Sequence, residues 1–487
     1  MLISNFYNLL KFMEKSKIVA FLRQLTPPDR KRILTYFKRP YFTQKHPELY
    51  ALLTYTLENA ATPAALEPQK VFTGVFGDNE PYNDLKLRHS ASVLLQHAET
   101  FWVNYHLETD ELERGVRLME LYRQAKLVKH YKNAQQQVQN CLQKEVHQNA
   151  AHYLIKYRVY RNTDNFSDNR NDPAKQEYVC LADAALDRFY LLSKLKLACE
   201  LHSLQMLVKT PHEIATLDMV QQLAVQNPYQ QEPVIALYYH ALQTLLHPDT
   251  AQPHFEQLKQ LFITHSSLLN QTEAAQVYYL ALNYCATRIN KGEGQYWAAI
   301  FDLYQIGAEQ MLLLENGEIL PWNYKNIVTV ALRLGKTDYA YQFLHQYHPF
   351  LPEAHRQNAL AFNLAKYHFA CKQYAQALQK LQEVSYDEIF YSLDARLLLL
   401  KTYYELNEFD AMEALIDSFR QFLNRTRLIS RQRQTTYRNL LRFLRQFNRI
   451  APANRKQLTQ LLAKIEQTPY VAERNWLLEK IKEYGKP

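Results

Sequence analysis

Glycine and proline are scarce in this sequence. Only 9 of its 487 residues are glycine and 19 are proline, which leaves few residues suited to the tight turns of β-hairpins. Sustained alternation of apolar and polar residues is nearly absent, whereas apolar residues recur at spacings of three and four, as in Leu397, Leu400 and Tyr404. The sequence therefore predicts an all-α protein, and its 47% of hydrophobic residues suffice for a buried core.

Cysteine is also scarce, and no two cysteines have the CxxC spacing of a redox or zinc motif. The five residues are Cys141, Cys180, Cys199, Cys285 and Cys371, and all of them lie in helical patterns. Cysteines of this kind are typically small, buried hydrophobic side chains in a reducing compartment. We therefore expect no disulfides and a cytoplasmic location.

Long apolar runs are missing as well. No stretch of 18 apolar residues occurs, so the sequence predicts no membrane span. Residues 1–12 are apolar and aromatic, but they lack the basic region and the small-residue cleavage site of a signal peptide. A more ordinary start follows at Met13, in the stretch Met-Glu-Lys-Ser-Lys. We therefore expect Met13 to be the natural first residue.

The motifs that mark common enzyme classes do not occur. HExxH, GxSxG and GxGxxG are missing, and the loop Gly292-Glu293-Gly294 is not followed by the Lys-Ser or Lys-Thr pair of a phosphate-binding loop. His345 and His348 are three residues apart, but a polar helix end explains them better than a metal site does. The sequence predicts no enzyme, no cofactor and no metal, and it leaves open an active site assembled from scattered residues.

The most polar stretch of the chain covers residues 162–173 and contains Asp164, Asp168 and Asp172. A calcium-binding loop of the EF-hand type has ligands two residues apart and a central glycine. Here the acidic residues are four apart and the glycine is missing. The stretch is therefore predicted to be a polar loop rather than a calcium site.

Helix-start and helix-stop residues suggest how the first two thirds of the chain are organised. The segment 26–29, Thr-Pro-Pro-Asp, has a capping threonine, prolines where no N–H is needed and an acid in the first turn. Helices are predicted over 83–107, twice within 111–161, and over 297–314, where Asn316-Gly317 would form a left-handed cap. We expect an N-terminal helical block over 1–110 and an irregular helical-repeat region over 111–320.

A regular repeat is clearest from residue 321 to residue 423. Tyr374 and Phe409 lie 35 residues apart, each just after a short polar turn, and Ala340 and Ala377 lie 37 apart. The unit that contains Phe409 also has a small residue, Ala411. A period in the mid-thirties indicates stacked helix pairs, because one pair alone cannot bury its apolar face.

The turns of this region carry a resemblance to a known family. Leu334-Gly335 is followed by Tyr339-Ala340, and residues 406–409 (Leu-Asn-Glu-Phe) have the same form with Asn for Gly, which tolerates the left-handed conformation. Together with residues 373–378 (Gln-Tyr-Ala-Gln-Ala-Leu), they resemble a degenerate tetratricopeptide repeat. The opening block, 1–110, is similar to the leading region of bacterial helical-repeat proteins. The resemblance implies a right-handed superhelical stack of antiparallel helix pairs, an α-solenoid, that binds a protein partner in its groove.

Acidic residues are missing from one long stretch near the C-terminus. Residues 418–465 contain ten arginines, two lysines and no Asp or Glu. The net charge of the whole chain is +9, so the remainder has a net charge of −3. Arg438, Arg442, Arg445 and Arg449 recur at +4, +3 and +4, which places them on one side of a helix. The basic character of the protein is therefore local.

Two interpretations of these arginines compete. They could form the solvated or salt-bridged end face of basic C-terminal capping helices over 424–487, since a helical stack needs a polar outer surface. They could instead form an anion-binding strip over 420–456, with Arg431 and the four arginines above as its candidate residues, for nucleic acid, an acidic protein segment or lipid headgroups. The function favoured by the sequence is a protein–protein interaction scaffold, and a nucleic-acid-associated or other anion-binding factor is the alternative. The identity of the partner is not encoded in any motif.

Overall fold

The structure is a computed structural model of the 487-residue chain, and it describes residues 13–166, 173–208, 213–385, 389–426, 429–451 and 453–484. The described part forms 23 α-helices and one short two-stranded hairpin, which confirms the predicted all-α class. None of the described helices is long and apolar enough to cross a bilayer. The expected start at Met13 concerns residues 1–12, which lie outside the described residues.

The chain contacts divide the protein into two units, Met1–Tyr190 and Leu191–Pro487. The helix Pro173–Val208, here α9, contains residues of both. The described helices of the first unit before it are α1 (Lys17–Gln24), α2 (Pro27–Phe37), α3 (Pro47–Glu58), α4 (Pro68–Phe76), α5 (Asp84–Thr109), α6 (Glu111–Gln124), α7 (Val128–Lys144) and α8 (Ala150–Phe166).

Two helix starts in the first unit are capped by side-chain oxygens. The Thr26 hydroxyl accepts a hydrogen bond from the Asp29 N–H at 3.4 Å, and prolines occupy the first turn of α2. The Asn83 side chain accepts one from the Lys86 N–H at 3.0 Å and starts the long helix α5. A side-chain oxygen at the cap satisfies an N–H that has no partner within the helix. The cap predicted at Thr26 is confirmed. The helix predicted over 83–107 is also confirmed, and the cap at Asn83 is a finding of the structure.

The prediction of two helices over 111–161 is wrong, because α6, α7 and the start of α8 occupy this region. Lys126 has a φ of 57°, and the Leu127 N–H donates to the Tyr122 carbonyl at 2.9 Å. This left-handed cap ends α6 without the glycine that usually marks it. Helix α8 continues through residues 162–166, so the predicted polar loop starts too early, and its remaining residues, 167–172, lie outside the described residues.

The second unit continues with helices and the hairpin. Its elements after α9 are α10 (Leu217–Ala224), α11 (Pro233–Leu246), α12 (Gln252–His265), α13 (Gln271–Asn290), α14 (Tyr296–Glu309), β1 (Leu314–Glu315), β2 (Glu318–Ile319), α15 (Pro321–Arg333), α16 (Thr337–Tyr347), α17 (Glu353–Ala370), α18 (Tyr374–Gln382), α19 (Ile389–Glu405), α20 (Phe409–Arg425), α21 (Arg431–Asn448), α22 (Arg455–Gln467) and α23 (Arg474–Tyr484).

The prediction that Asn316-Gly317 caps a helix is wrong. Helix α14 already ends at Glu309, where Met311 takes the left-handed conformation and the Leu312 N–H donates to the Gly307 carbonyl at 2.8 Å. Asn316 and Gly317 have φ values of 54° and 83° and connect β1 to the antiparallel strand β2. Two consecutive residues of positive φ form the turn that a two-residue hairpin requires.

The three helix pairs α15–α16, α17–α18 and α19–α20 are joined by turns of one kind. In each turn one residue has a positive φ, and these residues are spaced by 37 and 35 positions: Gly335 (70°), Lys372 (60°) and Asn407 (59°). The next N–H donates five residues back in every case: Lys336 to Ala331 (2.9 Å), Gln373 to His368 (2.8 Å) and Glu408 to Tyr403 (2.9 Å). The repeat is therefore a repeat of helix-ending geometry as well as of sequence.

In each of these pairs a fully buried residue lies at the same number of positions after the turn. Ala340 and Ala377 are fully buried, and each lies five residues after its left-handed residue. The fifth residue after Asn407 is Met412, which is also fully buried, whereas Ala411 is only half-buried. The inward-facing residue of the third pair is therefore Met412 rather than the neighbouring Ala411, because the helix phase set by the turn decides which residue faces inward.

Neighbouring pairs contact each other in a regular way. Helix α15 contacts α17, α17 contacts α19, and each second helix contacts the first helix of the following pair. From α19 to α23 the buried side chains form one core, which includes Leu400, Phe419, Leu444 and Leu477. Helix α23 contacts α19 through an ion pair, in which Lys480 lies 3.0 Å from Glu405. The first helices α15, α17 and α19 thereby lie side by side.

Candidate functional site

The predicted arginine residues lie on α21 and at its C-terminal cap. Its apolar face packs into the core through Tyr437, Leu441, Leu444 and other side chains, and Arg431, Arg438, Arg442 and Arg449 are exposed. Arg438, Arg442, Arg445 and Arg449 line one surface groove of about 430 Å³. Arg431, near the start of the helix, does not line it.

Helix α20 supplies the opposite wall of this groove. Arg420 and Asn424 line it from α20, and Asn439 and Gln446 complete the lining from α21. The Arg438 guanidinium donates to the Asn424 side-chain oxygen at 2.8 Å. We call this site the arginine groove: Arg420, Asn424, Arg438, Asn439, Arg442, Arg445, Gln446 and Arg449.

Arg445 differs from the other arginines of the groove because it is already paired. It donates to Glu413 at 2.8 Å and to Asp417 at 2.6 Å. Its hydrogen bond to Asp417 and the contact with Glu413 hold the pKa of the Arg445 guanidinium above its ordinary value. Glu413 and Asp417 lie on α20, five residues and one residue before the acid-free stretch 418–465. The charge pattern of that stretch therefore did not include them. Arg445 therefore supports the interpretation of these arginines as a salt-bridged end face.

The other four arginines of the groove are not neutralised by any residue that the structure describes. Arg420, Arg438, Arg442 and Arg449 form no ion pair with any residue that the structure describes. The Arg442 guanidinium lies 4.5 Å from the centre of the Phe443 ring. Arg438 has only the uncharged Asn424 as its hydrogen-bond acceptor among the described residues. The groove thus keeps a surplus of positive charge.

A second candidate site, not identified from the sequence, lies on the first helices of the three pairs. Its lining contains one row of equivalent positions, Thr329, Lys366 and Lys401, and a second row one turn earlier, Lys325, Phe362 and Leu397. Within each row the spacings are 37 and 35 residues, the same as between the turns. We call this cleft of about 290 Å³ the lysine cleft.

Two of the three lysines have carboxylate partners. Lys325, only 6% exposed, pairs with Asp394 at 2.8 Å, and its ammonium lies 3.9 Å from the Trp322 ring centre. Lys401 pairs at 2.8 Å with Glu473, which reaches the cleft from the segment before α23. These pairs neutralise the two outer helices of the cleft.

Lys366, on the middle helix, lacks such a partner. Its ammonium donates to the Thr329 hydroxyl and forms no ion pair with a described residue. Burial lowers the pKa of Lys366 to about 8, because removal from water disfavours the charged form. Among the described residues of the cleft, three ammonium groups therefore face two carboxylates. The uncompensated charge is the chemical feature of the site.

The remaining histidines and cysteines were candidates for a metal or redox site. Among the described residues, no group of three or more His, Cys, Asp or Glu side chains could hold a metal ion. The five cysteines are all free thiols; Cys199 and Cys285 are buried as expected, but Cys180 is exposed. His345 is exposed and packs against Tyr341, with 4.6 Å between the ring centres.

Comparisons with protein-family models, with curated proteins and with solved structures give no match to this chain. The function must therefore be inferred from the two sites themselves.

Proposed function

We propose that the chain is a protein-binding scaffold of the tetratricopeptide-like kind, which binds an acidic segment of a partner protein in the lysine cleft. One observation carries the proposal: Lys366 is a half-buried ammonium that forms no ion pair with a described residue, at the centre of a cleft built from equivalent positions of three repeats. A desolvated charge is costly unless it is paired. An Asp or Glu side chain, or a C-terminal carboxylate, would supply the missing partner.

The same proposal includes two broader features. The helix pairs would form a right-handed superhelical stack, so that their first helices offer an extended surface to the partner. The protein would work in the reducing cytoplasm, where an exposed thiol such as Cys180 stays reduced. The protein acts through binding rather than catalysis and needs no cofactor.

The proposal is tested by selecting peptides from a displayed random library with the full chain. We expect the selected peptides to share an acidic residue or a free C-terminal carboxylate. The variant Lys366→Met should bind them at least about tenfold more weakly, because it removes a charge-assisted hydrogen bond. Lys380→Met is the matched control, since Lys380 lies on the neighbouring helix and Glu383 is its ion-pair partner among the described residues.

The pH dependence provides a second measurement on the same peptides. Because the pKa of Lys366 is about 8, binding should weaken as the pH rises above about 8 and the ammonium loses its proton. The Lys366→Met variant should lack this dependence. Selected peptides without acidic residues, or equal binding by Lys366→Met and wild type, would contradict the proposed function.

The arginine groove supports the alternative function, binding of nucleic acid or another anion by the strip 420–456. We favour it less as the main function for two reasons. Arg445 is already neutralised by Glu413 and Asp417, and none of the described lining residues is aromatic, whereas single-stranded nucleic acid is typically bound by stacking on aromatic rings.

A further inference from the structure

We propose that the arginine groove is a separate binding site for a linear chain of linked phosphate groups, such as inorganic polyphosphate or the triphosphate of a nucleotide. The proposal is independent of the lysine cleft, since the two sites share no lining residue. It concerns a small anion that is bound by guanidinium groups alone.

The charge of the groove favours an anion. Five guanidinium groups line it, and the only carboxylates that contact them among the described residues are Glu413 and Asp417, both held by Arg445. Arg420, Arg438, Arg442 and Arg449 therefore retain their full charges close to one another. Like charges brought together repel, and a bound anion of high charge density removes that repulsion.

The shape of the groove favours a linear ligand of small size. Its volume of about 430 Å³ lies within the range of roughly 300–1,000 Å³ typical of small-molecule sites. Arg438 and Arg449 are eleven residues apart along α21, which corresponds to roughly 16 Å at 1.5 Å per residue. Arg442 lies between them. A row of guanidinium groups over this length fits a chain of phosphates better than a single phosphate ion.

Three of the five arginines are held in position before any ligand binds. The Asn424 oxygen orients the Arg438 guanidinium, and Glu413 and Asp417 fix Arg445 as a wall of the groove. The Arg442 guanidinium lies close to the Phe443 ring. Arginine suits phosphate because its planar group forms two parallel hydrogen bonds to phosphate oxygens. Fixed donors lose less conformational entropy on binding.

The lining disfavours the two macromolecular ligands. None of the described lining residues is aromatic, so nucleic-acid bases would have no surface on which to stack. None is apolar either, whereas peptide recognition combines main-chain contacts with pockets for side chains. A phosphate chain needs neither aromatic nor apolar contacts, and its oxygens can accept hydrogen bonds from the guanidinium groups along the groove.

The test is calorimetric titration of the full chain with sodium tripolyphosphate at about 0.15 M salt. The groove variant is Arg438→Gln/Arg442→Gln/Arg449→Gln. The control variant is Arg425→Gln/Arg431→Gln/Arg455→Gln, which removes the same charge from exposed arginines outside the groove. Circular dichroism should show that both variants stay folded.

We expect tripolyphosphate to bind the wild type and the control variant with similar affinity, and the groove variant at least about tenfold more weakly, because each lost bond to phosphate is charge-assisted. Orthophosphate should bind far more weakly. ATP that binds like tripolyphosphate identifies a nucleotide tail as a sufficient ligand, and ATP that binds much more weakly identifies inorganic polyphosphate.

Three results would overturn the proposal. They are no binding of tripolyphosphate, an equal loss of affinity in both variants, and a groove-dependent affinity for random duplex DNA that exceeds the affinity for tripolyphosphate. The first two would return the arginines to a solvated end face. The third would establish the nucleic-acid alternative, with the steep salt dependence that phosphate-backbone binding shows.

Discussion

His240 and His254 form a pair at the contact of α11 and α12, with their Nδ1 atoms 2.9 Å apart. Burial lowers the pKa of His240 to about 4, and the neighbouring His254 acts in the same direction. Burial also lowers the pKa of His254. Both rings are therefore neutral in the folded protein at pH 7, and one of them donates to the other.

This pair should make the protein sensitive to acid. Between about pH 6.5 and pH 4 the unfolded chain binds more protons than the folded one, so the free energy of unfolding decreases as the pH falls through this window. Above pH 6.5 the pair should contribute no pH dependence. The variant His240→Gln should show a smaller loss of melting temperature between pH 7 and pH 5 than the wild type.

The exposed residue His345 provides the control for this measurement. His345→Gln should lose as much melting temperature as the wild type on acidification. Buried His152 has a pKa lowered to about 4 in the same way and stays in both variants as part of the common background. An unchanged acid response in His240→Gln would show that the pair does not titrate as described.

At the residue scale, the sequence predicted where the positive charges lie better than it predicted which acidic residues pair with them. The arginines 438, 442, 445 and 449 were placed on one side of a helix, and the structure brings them to one groove. The neutralisation of Arg445 depends on α20 lying beside α21, which a one-dimensional pattern does not contain. The lysine cleft could have been found, because Thr329, Lys366 and Lys401 repeat with the period of the turns.

At the scale of elements, the turns within the helix pairs provide a sharp test of the repeat. Gly335 has a φ of 70°, and a Cβ added there would meet no atom within 4 Å. Gly335→Ala should therefore cost only the backbone strain of a left-handed alanine, about 1–2 kcal/mol. Lys372→Gly, at the equivalent position with a φ of 60°, should stabilise the protein by a fraction of that amount.

Gly294→Ala is the matched control. Its Cβ would also meet no atom within 4 Å, but its φ is not positive, so the substitution should be neutral or slightly stabilising. The three variants are compared by chemical denaturation. Equal losses for Gly335→Ala and Gly294→Ala would contradict the assignment of a left-handed cap to the turn after α15.

Elements were predictable from the sequence where local chemistry decides them. The cap at Thr26, the cap at Asn83 and the turns at Gly335 and Asn407 all follow from side chains within a few residues. The break at Lys126 was missed because lysine rarely adopts a positive φ, and only the packing of α6 against α7 over-determines it. Asn316-Gly317 fits both a helix cap and a hairpin turn, and the earlier end of α14 selects the hairpin.

At the scale of the whole molecule, the net charge of +9 is unevenly distributed, since residues 418–465 contain twelve positive charges and no negative one. Within them, the arginine groove gathers four guanidinium groups that have no ion pair among the described residues. The repulsion between these groups should destabilise the folded protein at low ionic strength, because the Debye length there, about 30 Å at 0.01 M, exceeds the size of the groove.

Salt should therefore stabilise the wild-type protein. Raising KCl from about 0.01 M to 0.15 M shortens the Debye length to about 8 Å and should raise the melting temperature. The groove variant Arg438→Gln/Arg442→Gln/Arg449→Gln should melt higher than the wild type at low salt and respond less to KCl. The variant Arg425→Gln/Arg431→Gln/Arg455→Gln has the same net charge as the groove variant. A difference in melting temperature between the two variants therefore reports repulsion within the groove and not the charge of the whole molecule. If the salt response of the melting temperature depended only on net charge, it would be the same in both variants. That result would mean that water solvates the guanidinium groups too well for them to repel one another. A bound phosphate chain would then have no repulsion to remove.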